Sequence, residues 1–281
     1  MKRHPRSCLT FLAAFALIGC GGDEDTRDLG RKQVAGKLVL SGSTTLGPLM
    51  ADIARRLNQL YPGLEVEVRK GGSTRGIQDA RHGTVNVGMS SRSLQAAERE
   101  LHSFAVARDG VCFLVHKDNP VTGLDREQEL AILTNKVKNW KEVGGRDTPI
   151  VVVARSEGRS EVELMTNHFH IKPADIKAQT KVGDNQDAVA AAANDPNAIT
   201  FMSVGEASEE AKKGKPIKLL ASEGVAATPE NVATSTFPIT RPLILVTREL
   251  PTGASKVLVD YALSSKVRDL IQSHGFVPYL D

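Results

Sequence analysis

Aromatic side chains are scarce in this 281-residue chain, where Phe, Trp and Tyr together make up 4% of the residues. Sites that hold sugars generally stack them on aromatic faces, so the composition argues against a carbohydrate ligand. The single Trp, Trp140, lies in an Asn-Trp turn, where packing explains it better than ligand stacking. The chain also has no G-x-S-x-G elbow followed by plausible His and acid partners. This absence argues against a serine hydrolase, and we expect a protein that performs no catalysis.

Cysteine is almost as rare, with three residues in the whole chain. Cys8 lies within the export signal described below, and Cys20 is the predicted site of lipid attachment. Cys112 then stands alone in the apolar run Val111–Val115, where a buried core residue is expected rather than a nucleophile. The mature chain therefore has no intramolecular disulfide.

The one long apolar run lies at the N-terminus, and it is too short to span a bilayer as a stable anchor. A basic start (Lys2, Arg3, Arg6) and the apolar stretch 9–19 predict a signal peptide over 1–19. Residues 17–20, Leu-Ile-Gly-Cys, resemble a bacterial lipobox, in which the Cys20 thiol is lipidated after cleavage just before it. The polar, glycine-bearing segment 20–36 predicts a flexible lipidated tether. We therefore expect a membrane-anchored lipoprotein on the extracytoplasmic side of the cell envelope.

Charge of either sign is not in excess once the export signal is removed. The formal net charge of the full chain is +3 at pH 7, and residues 1–19 carry three basic residues and no acidic one. The mature chain is therefore neutral. No positive excess remains to follow a phosphodiester backbone, which argues against a nucleic acid partner.

From Lys37 onward, short apolar strand patterns alternate with helical ones. Apolar residues recur at helical spacing over 46–60, and the alanine-rich segment 185–194 also predicts a helix. Strands are predicted at 38–40, 150–154 and several other short apolar runs. This βα order predicts an α/β fold with largely parallel sheets.

Three turns rich in Ser, Thr, Gly and Arg each lie between a predicted strand and a predicted helix, at 41–45, 71–76 and 155–160. A helix N-terminus offers free backbone N–H groups and about half a positive charge. Glycine allows close approach of the backbone to a ligand, and hydroxyls add donors, so such turns suit an anion. Ser and Thr also cap helices in any protein, so each turn alone is equally explained as an N-cap.

A set of ordered motifs spanning roughly 37–280 resembles the phosphate-binding proteins of bacterial phosphate ABC transporters, in their compact form. The motifs are Gly42-Ser43-Thr44-Thr45-Leu46-Gly47-Pro48-Leu49, Gly71-Gly72-Ser73, Val85-Asn86-Val87-Gly88-Met89-Ser90-Ser91-Arg92, Ala107-Arg108-Asp109-Gly110, His116-Lys117-Asp118-Asn119-Pro120-Val121, Asn139-Trp140-Lys141-Glu142-Val143-Gly144-Gly145, Val153-Ala154-Arg155-Ser156-Glu157-Gly158 and Phe237-Pro238-Ile239-Thr240-Arg241-Pro242-Leu243.

The resemblance implies a two-lobed periplasmic-binding-protein-like type II fold, in which two crossing strands join the lobes and a ligand cleft lies between them. Lobe one is expected over 37–113 plus 236–281, and lobe two over 114–235. The implied partners are phosphate or a similar oxyanion and an ABC transporter permease.

The same resemblance implies which side chains face the anion, with Arg155 as the main cation and Glu157 as the acid that pairs with it. A guanidinium suits a tetrahedral oxyanion because its donors fork. The full expected set of ligand-binding residues is Ser43, Thr44, Thr45, Ser73, Ser91, Arg92, Arg155, Glu157, Arg159 and Ser160.

The third turn departs from the family pattern Gly-Ser-Gly-Thr, because it continues as Gly158-Arg159-Ser160-Glu161. An acid facing a dianion would oppose binding, so we expect Glu161 to turn outward and Arg159 or Ser160 to replace the missing hydroxyl donor. Asn86 stands where the family often has Asp, and Thr200-Phe201 where it has a Gly-Tyr pair. These departures leave open a binding protein for sulfate, molybdate or another oxyanion, and an envelope sensor or scaffold that has lost its ligand.

No cofactor or metal site is predicted. His168 and His170 flank Phe169, but residues two apart on a helix point to different faces, so we expect both to be surface residues.

Overall fold

The structure is a computed structural model that describes residues 34–279, so the predicted signal peptide and Cys20 lie outside the described residues. Within that range the chain forms nine α-helices and twelve strands. The helices are α1 (Leu46–Leu60), α2 (Ser73–Arg81), α3 (Arg126–Leu133), α4 (Ser160–Phe169), α5 (Asn185–Asn194), α6 (Val204–Lys212), α7 (Pro229–Ala233), α8 (Gly253–Ala262) and α9 (Arg268–Ser273). The strands are β1 (Gly36–Gly42), β2 (Leu64–Lys70), β3 (Val87–Ser90), β4 (His102–His116), β5 (Gly123–Leu124), β6 (Val151–Arg155), β7 (Thr180–Val182), β8 (Ala198–Ser203), β9 (Ile217–Leu219), β10 (Ala221–Ser222), β11 (Thr240–Thr247) and β12 (Val277–Pro278).

The first lobe is built on strands in the order β2-β1-β3-β11-β4. β1 pairs in parallel with β2 and β3, whereas β11 runs antiparallel to β3 and β4. Helix α1 covers this sheet, and its apolar residues are buried at the predicted helical spacing, from Leu46 through Ile53 to Leu57. The carboxyl ends of β1 and β3 therefore lie side by side, next to the starts of α1 and α2.

The second lobe continues from the same long strand, in the order β4-β8-β6-β7. β6 pairs in parallel with β7 and β8, and β4 pairs antiparallel with β8 and β9. The end of β6 leads directly into the turn before α4. This turn is the third of the anion-type turns described above, and it lies in the second lobe.

Two large hydrophobic cores correspond to the two lobes. One contains residues from Leu38 to Ala107 and again from Leu243 to Phe276, and the other runs from Val111 to Ile239. The change from one core to the other occurs between 107 and 111 and between 239 and 243, within a few residues of the expected boundaries at 113/114 and 235/236. Those boundaries themselves stay a prediction.

The expectation of largely parallel sheets needs correction for the two strands that join the lobes. β4 and β11 run antiparallel to each other and to their other neighbours, because the chain crosses between lobes along β4 and returns along β11. A second difference concerns 94–101, where the pattern predicts a helix but only a short 3₁₀ turn forms over Ala96–Glu98. The Glu98 carboxylate there binds Arg92 and the backbone of Gln95 instead of supporting a longer helix.

None of the helices within 34–279 is both long enough and apolar enough to cross a membrane.

Candidate functional site

Four serine hydroxyls from four separate chain segments and both lobes meet at one point. The Ser91 hydroxyl is the centre, because its oxygen lies 3.0 Å from that of Ser43, 3.2 Å from that of Ser73 and 2.8 Å from that of Ser160. All four residues are buried. The three turns singled out in the sequence therefore converge in space, with Ser160 supplied by the second lobe.

The starts of three helices surround this hydroxyl cluster. Ser43 and Thr45 lie just before α1. Ser73 is the first residue of α2, and Ser160 is the first residue of α4. Gly72, just before α2, has a φ of 93°, a conformation that side chains other than glycine rarely adopt. A methyl group at Gly72 would lie 2.8 Å from the carbonyl oxygen of Gly158. Glycine at this position thus lets the turn of one lobe touch the turn of the other.

Thr45 extends the polar contact to two residues of the second lobe. Its hydroxyl lies 3.3 Å from Oε1 of Glu161 and accepts a 3.1 Å hydrogen bond from the amide of Asn185. Thr44, the middle residue of the turn, is also buried, with 6% exposure. Every hydroxyl residue of the predicted set therefore lies in the interface between the lobes.

Arg241 is a fully buried cation held by acids from both sides. Its Nη1 donates to Glu161 at 2.7 Å and to Ser160 at 3.0 Å, while Nε and Nη2 donate to Asp109 at 3.0 Å and 2.9 Å. Glu161 is likewise buried, with an exposed fraction of 2%. Burial favours the neutral form of Glu161, but the charges of Arg241 and Arg155 outweigh it and lower the pKa of Glu161 to about 2. The carboxylate is therefore ionised at neutral pH.

The expected outward orientation of Glu161 is thus wrong. An acid beside an anion opposes binding only when its charge is uncompensated, whereas Arg241 lies 2.7 Å from the Glu161 carboxylate. Arg241 comes 80 residues after Glu161 in the chain and from the other lobe. Local spacing on the helix could not reveal this partner.

Arg155 lies in the cleft as expected, but its partners differ from the predicted ones. Its Nη1 donates to the carbonyl oxygen of Asp184 at 2.7 Å, and Nη2 donates to the side-chain oxygen of Asn185 at 2.7 Å. Both acceptors are neutral, and Nε is buried with no hydrogen-bond partner. Burial lowers the pKa of Arg155, although the charge of Glu161 partly opposes this. The cation is therefore not neutralised by a carboxylate in direct contact.

The predicted pairing of Arg155 with Glu157 is not formed. The side chain of Glu157 is 89% exposed and lies 3.8 Å from Lys181. Residues 155 and 157 end a strand and enter a turn, where their side chains leave on different sides. Glu157 is accordingly not part of the site.

Arg92 also needs correction. Its guanidinium donates to Glu98 through Nη1 and Nη2, at 2.7 and 2.8 Å. Its Nε lies 2.8 Å from a carboxylate oxygen of Glu163 of the second lobe, in an ion pair without hydrogen-bond geometry. Two carboxylates thus neutralise the charge that was expected to face an anion. Arg92 links the lobes at the edge of the site rather than offering charge to a ligand.

Arg159 enters the cleft from the turn before α4. A methyl group at Gly72 would lie 3.3 Å from its Cδ, and one at Gly183 would lie 3.7 Å from its Nη2. The side chain therefore lies between the lobes. Its Nη1 is buried and has no hydrogen-bond partner. Arg159 is the second cation of the site with an unused donor.

Four further residues contribute to the site without having been predicted: Asp109, Asn185, Glu206 and Arg241. Asp109 and Arg241 stand inside motifs that carry the family resemblance, and a charged residue within an otherwise apolar strand is the signal that could have found them. The Asn185 amide donates to both Thr45 and the Glu206 carboxylate. Burial raises the pKa of Glu206 to about 7, although the Asn185 amide opposes the shift.

The charges in the cleft add up to a modest positive excess. The guanidinium groups of Arg155, Arg159 and Arg241 face the carboxylates of Asp109 and Glu161, which leaves one positive charge in excess when Glu206 is protonated and none when it is ionised. Because the pKa of Glu206 is about 7, the excess at neutral pH lies between these two limits. Arg241 is in direct contact with its two acids, whereas Arg155 and Arg159 contact no carboxylate. Helix starts, convergent hydroxyls and two unmatched guanidinium groups together form a site with the chemistry for a small anion.

The fold and this site define the class of protein. Residues 30–266 match the profile of the PBP superfamily domain, and the chain belongs to this family. The expected two-lobed periplasmic-binding-protein-like fold is confirmed.

Individual relatives within this family are named as phosphate-binding proteins. A phosphate-binding protein PstS from Bacillus subtilis (strain 168) is 26% identical, with 100% of this chain and 96% of that protein covered. PstS from Borreliella burgdorferi is 25% identical, over 85% of this chain and 88% of that protein. The predicted resemblance to phosphate-binding proteins of ABC transporters is confirmed by these relatives.

Solved structures agree with them. A structure described as a phosphate ABC transporter substrate-binding protein from Clostridium perfringens with bound phosphate has a TM-score of 0.81 at 29% identity, covering 86% of this chain and 99% of that one. An ABC-type phosphate transport receptor from Vibrio cholerae has a TM-score of 0.71, also at 29% identity, covering 85% and 99%. These relatives carry the names of binding and transport proteins rather than of enzymes.

Proposed function

We propose that this protein binds phosphate between its two lobes and delivers it to an ABC importer. The observation that carries the proposal is the pair of cleft arginines, Arg155 and Arg159, which have no carboxylate in contact and each keep a buried, unpaired N–H donor. A buried donor without a partner costs free energy that an anion would recover. The named relatives and the phosphate-bound neighbour from Clostridium perfringens support phosphate as the anion.

Glu161 favours phosphate over the other oxyanions left open by the sequence. Its carboxylate is ionised and lies among the Ser160, Thr45 and Arg241 side chains of the site. Hydrogen phosphate carries a proton that it can donate to such a carboxylate, whereas sulfate and molybdate dianions cannot. A site with two guanidinium groups that contact no carboxylate and an internal acceptor thus suits hydrogen phosphate best. Binding by this site requires no covalent chemistry and no cofactor.

We further propose that the chain is exported and held at the extracytoplasmic face of the membrane by lipid on Cys20. The lipobox-like residues 17–20 and the polar tether after them support this part of the proposal. A tethered binding protein would present its ligand to the permease without diffusing away from the membrane.

The test of phosphate binding is titration calorimetry on the wild type and on Arg155→Ala. We expect the substitution to weaken phosphate binding by about 2–5 kcal/mol, the range for removing one partner of a buried charge pair. Arg99→Ala is the matched control, because Arg99 is exposed and lies outside the cleft. The wild type should bind phosphate more tightly than sulfate or molybdate.

Two results would contradict the proposal. Equal phosphate affinity in the wild type and Arg155→Ala would place Arg155 outside the binding site. A folded wild type that binds no oxyanion would favour the sensor or scaffold interpretation, and tighter binding of sulfate would favour a different ligand.

A further inference from the structure

A second cluster of titratable side chains lies in the second lobe, away from the cleft. It consists of Glu129 in α3, His168 in the last turn of α4 and Glu223 in the turn after β10. One ligand atom from each of these residues lies within 4.8 Å of the others. Ser160 begins α4 in the cleft and His168 lies eight residues later, so roughly 12 Å of helix separates the two sites.

Glu129 is the unusual member of this cluster. Its side chain is completely buried, and neither of its carboxylate oxygens has a hydrogen-bond partner. The buried hydroxyl of Ser222 lies beside this carboxyl, but the two do not reach the geometry of a hydrogen bond. An acidic side chain is almost never fully buried unless a cation or a set of donors compensates it. The residues around Glu129 therefore lack a positive charge that this carboxyl would need in order to ionise.

Arg126 supplies only part of the missing charge. Its Nη1 lies 2.7 Å from Nε2 of His168 and 3.7 Å from Oε1 of Glu223, and the guanidinium also lies over the ring of Phe169. No ion pair joins Arg126 to Glu129 in the described part of the chain. Its Nη2 donates to the backbone carbonyl oxygen of His168, and the side chain is 40% exposed. One partly exposed guanidinium thus contacts His168 and Glu223 of the cluster.

We propose that Glu129, His168 and Glu223 form a binding site for a divalent transition-metal ion such as Zn²⁺, and that Arg126 occupies part of this site in the metal-free protein. An imidazole nitrogen with two carboxylate oxygens is a donor set that zinc accepts at about 2.0–2.2 Å, with water as a fourth ligand. The imidazole favours such an ion over Ca²⁺ or Mg²⁺, which prefer oxygen ligands. Binding would draw the three ligand atoms closer together and displace the guanidinium of Arg126 from His168.

From the sequence, His168 and His170 were both expected to be surface residues. The expectation is confirmed for His170, which is exposed and follows the end of α4, but it is wrong for His168, whose side chain is 15% exposed and lies against Arg126 and Glu223. The partners of His168 proposed here come from segments about 40 residues earlier and 55 residues later in the chain. Spacing within one helix could not identify them.

The test is calorimetric titration of the purified full chain with zinc chloride in phosphate-free buffer. We expect the wild type to bind one equivalent of Zn²⁺, and Glu129→Gln and His168→Ala to lose affinity by about tenfold or more. Arg126→Ala should bind Zn²⁺ more tightly than the wild type, because the competing cation is gone. Zn²⁺ should also raise the Tm of the wild type but not that of Glu129→Gln. A cooperative thermal transition of Glu129→Gln without Zn²⁺ would show that this variant is folded.

Glu127→Gln is the matched control, because Glu127 is an exposed acid in the same helix and outside the cluster. It should bind Zn²⁺ as the wild type does. The proposal is overturned if neither the wild type nor Arg126→Ala binds Zn²⁺, or if Glu129→Gln binds it as tightly as the wild type. We expect these substitutions to leave phosphate affinity unchanged. The result of the Zn²⁺ test is therefore independent of the function proposed for the cleft.

Discussion

Glu161 and Arg241 form an ion pair that is removed from water on all sides. Taking two charges out of water is costly, and only close contact and further hydrogen bonds offset that cost. Here Glu161 accepts from Arg241 and from Thr45, and Arg241 also binds Asp109 and Ser160. Because these residues come from both lobes, the free energy of this pair depends on the lobes being in contact.

The pH dependence of stability should report this pair directly. The pKa of Glu161 is lowered from its ordinary 4.5 to about 2 in the folded protein. Its contribution is therefore fully present above about pH 4.5 and lost as the pH falls towards 2, and it amounts to about 3 kcal/mol at neutral pH. We expect Glu161→Gln to unfold more easily than the wild type at pH 6 and to approach it at pH 2 to 3. Chemical denaturation of both proteins across this range measures the difference.

Parallel pH profiles for the two proteins would show that Glu161 does not form an ionised pair in solution. Other carboxylates titrate in the same range, but they are present in both proteins and do not affect the comparison.

The serines of the site could be predicted from the sequence, whereas the acid beside them could not be placed. Ser43, Ser73 and Ser160 lie at glycine-containing turns before helices, and the family resemblance favours an anion site over an ordinary N-cap for these turns. The orientation of Glu161 depends on Arg241, which belongs to a strand 80 residues later. The direction of a side chain within a helix can be inferred from its local spacing. The presence of a distant opposite charge, which makes an inward direction favourable for an acid, cannot be inferred in this way.

The backbones of the two lobes meet between two turns, at Gly72 and Gly158. The backbone N–H of Thr74, just inside α2, donates to the carbonyl oxygen of Gly158 at 3.4 Å. A side chain at Gly72 would occupy the space through which this contact is made. The separation of the turns, and with it the position of the serine hydroxyls, thus depends on the absence of a Cβ atom.

Replacing Gly72 with alanine should therefore affect ligand binding as well as stability. The positive φ alone costs about 1–3 kcal/mol for a residue with a side chain. The contact with the Gly158 carbonyl oxygen should in addition separate the two turns and lower phosphate affinity by about tenfold or more. Thermal unfolding and phosphate titration of the Gly72→Ala variant measure the two effects.

Gly144→Ala provides the matched control. Gly144 has a similar φ of 83°, but a methyl group there would meet no atom within 4 Å. Both variants should lose stability, and only Gly72→Ala should lose phosphate affinity. If the two variants bound phosphate equally well, the Gly72–Gly158 contact would not determine the geometry of the site.

Elements with one strong local pattern were predicted well, and elements formed by distant contacts were not. The helix expected over 185–194 is found as α5 with the same bounds, because its alanines favour helix and Asp184 caps it. The segment 102–110 gave no clear strand pattern, yet it forms the first half of β4. This half is held by pairing with β11, more than 130 residues later, and no local sequence signal encodes that pairing.

At the scale of the whole molecule, the lipid anchor proposed for Cys20 precedes the residues that the structure describes. Cys20→Ser should release the protein from membranes or prevent its processing, because lipid chains on one cysteine provide the hydrophobic attachment. The check is fractionation of cells that express the wild type or the variant, followed by a high-salt wash of the membranes. The phosphate affinity of the released protein should match that of the wild type.

A Cys20→Ser protein that was processed normally and stayed on washed membranes would exclude the lipid as the anchor. Cys112→Ser is not a suitable control for Cys20→Ser. Cys112 is fully buried in the core of the second lobe, so a polar replacement there would affect folding. Ser7→Ala, within the predicted signal peptide and far from Cys20 in the sequence, is the matched control, because it leaves the lipidated thiol unchanged.

The two-lobed arrangement could be predicted only through family resemblance. The βα order favours α/β layers, but it does not show that two sheets form or that the crossing strands run antiparallel. Those features follow from β4 being long enough to belong to both sheets and from β11 returning beside it.

The position of β11 also has a consequence for the order in which the chain can fold. This strand lies between β3 and β4 in the first sheet, yet the ribosome makes it after the entire second lobe. Until residue 247 has been synthesised, β3 and β4 have no strand to join them, and Arg241 is not available to the acids of the cleft. Folding of the first lobe is thereby postponed to the last stage of synthesis. Such a delay suits a polypeptide that, by the export proposed here, crosses a membrane in extended form.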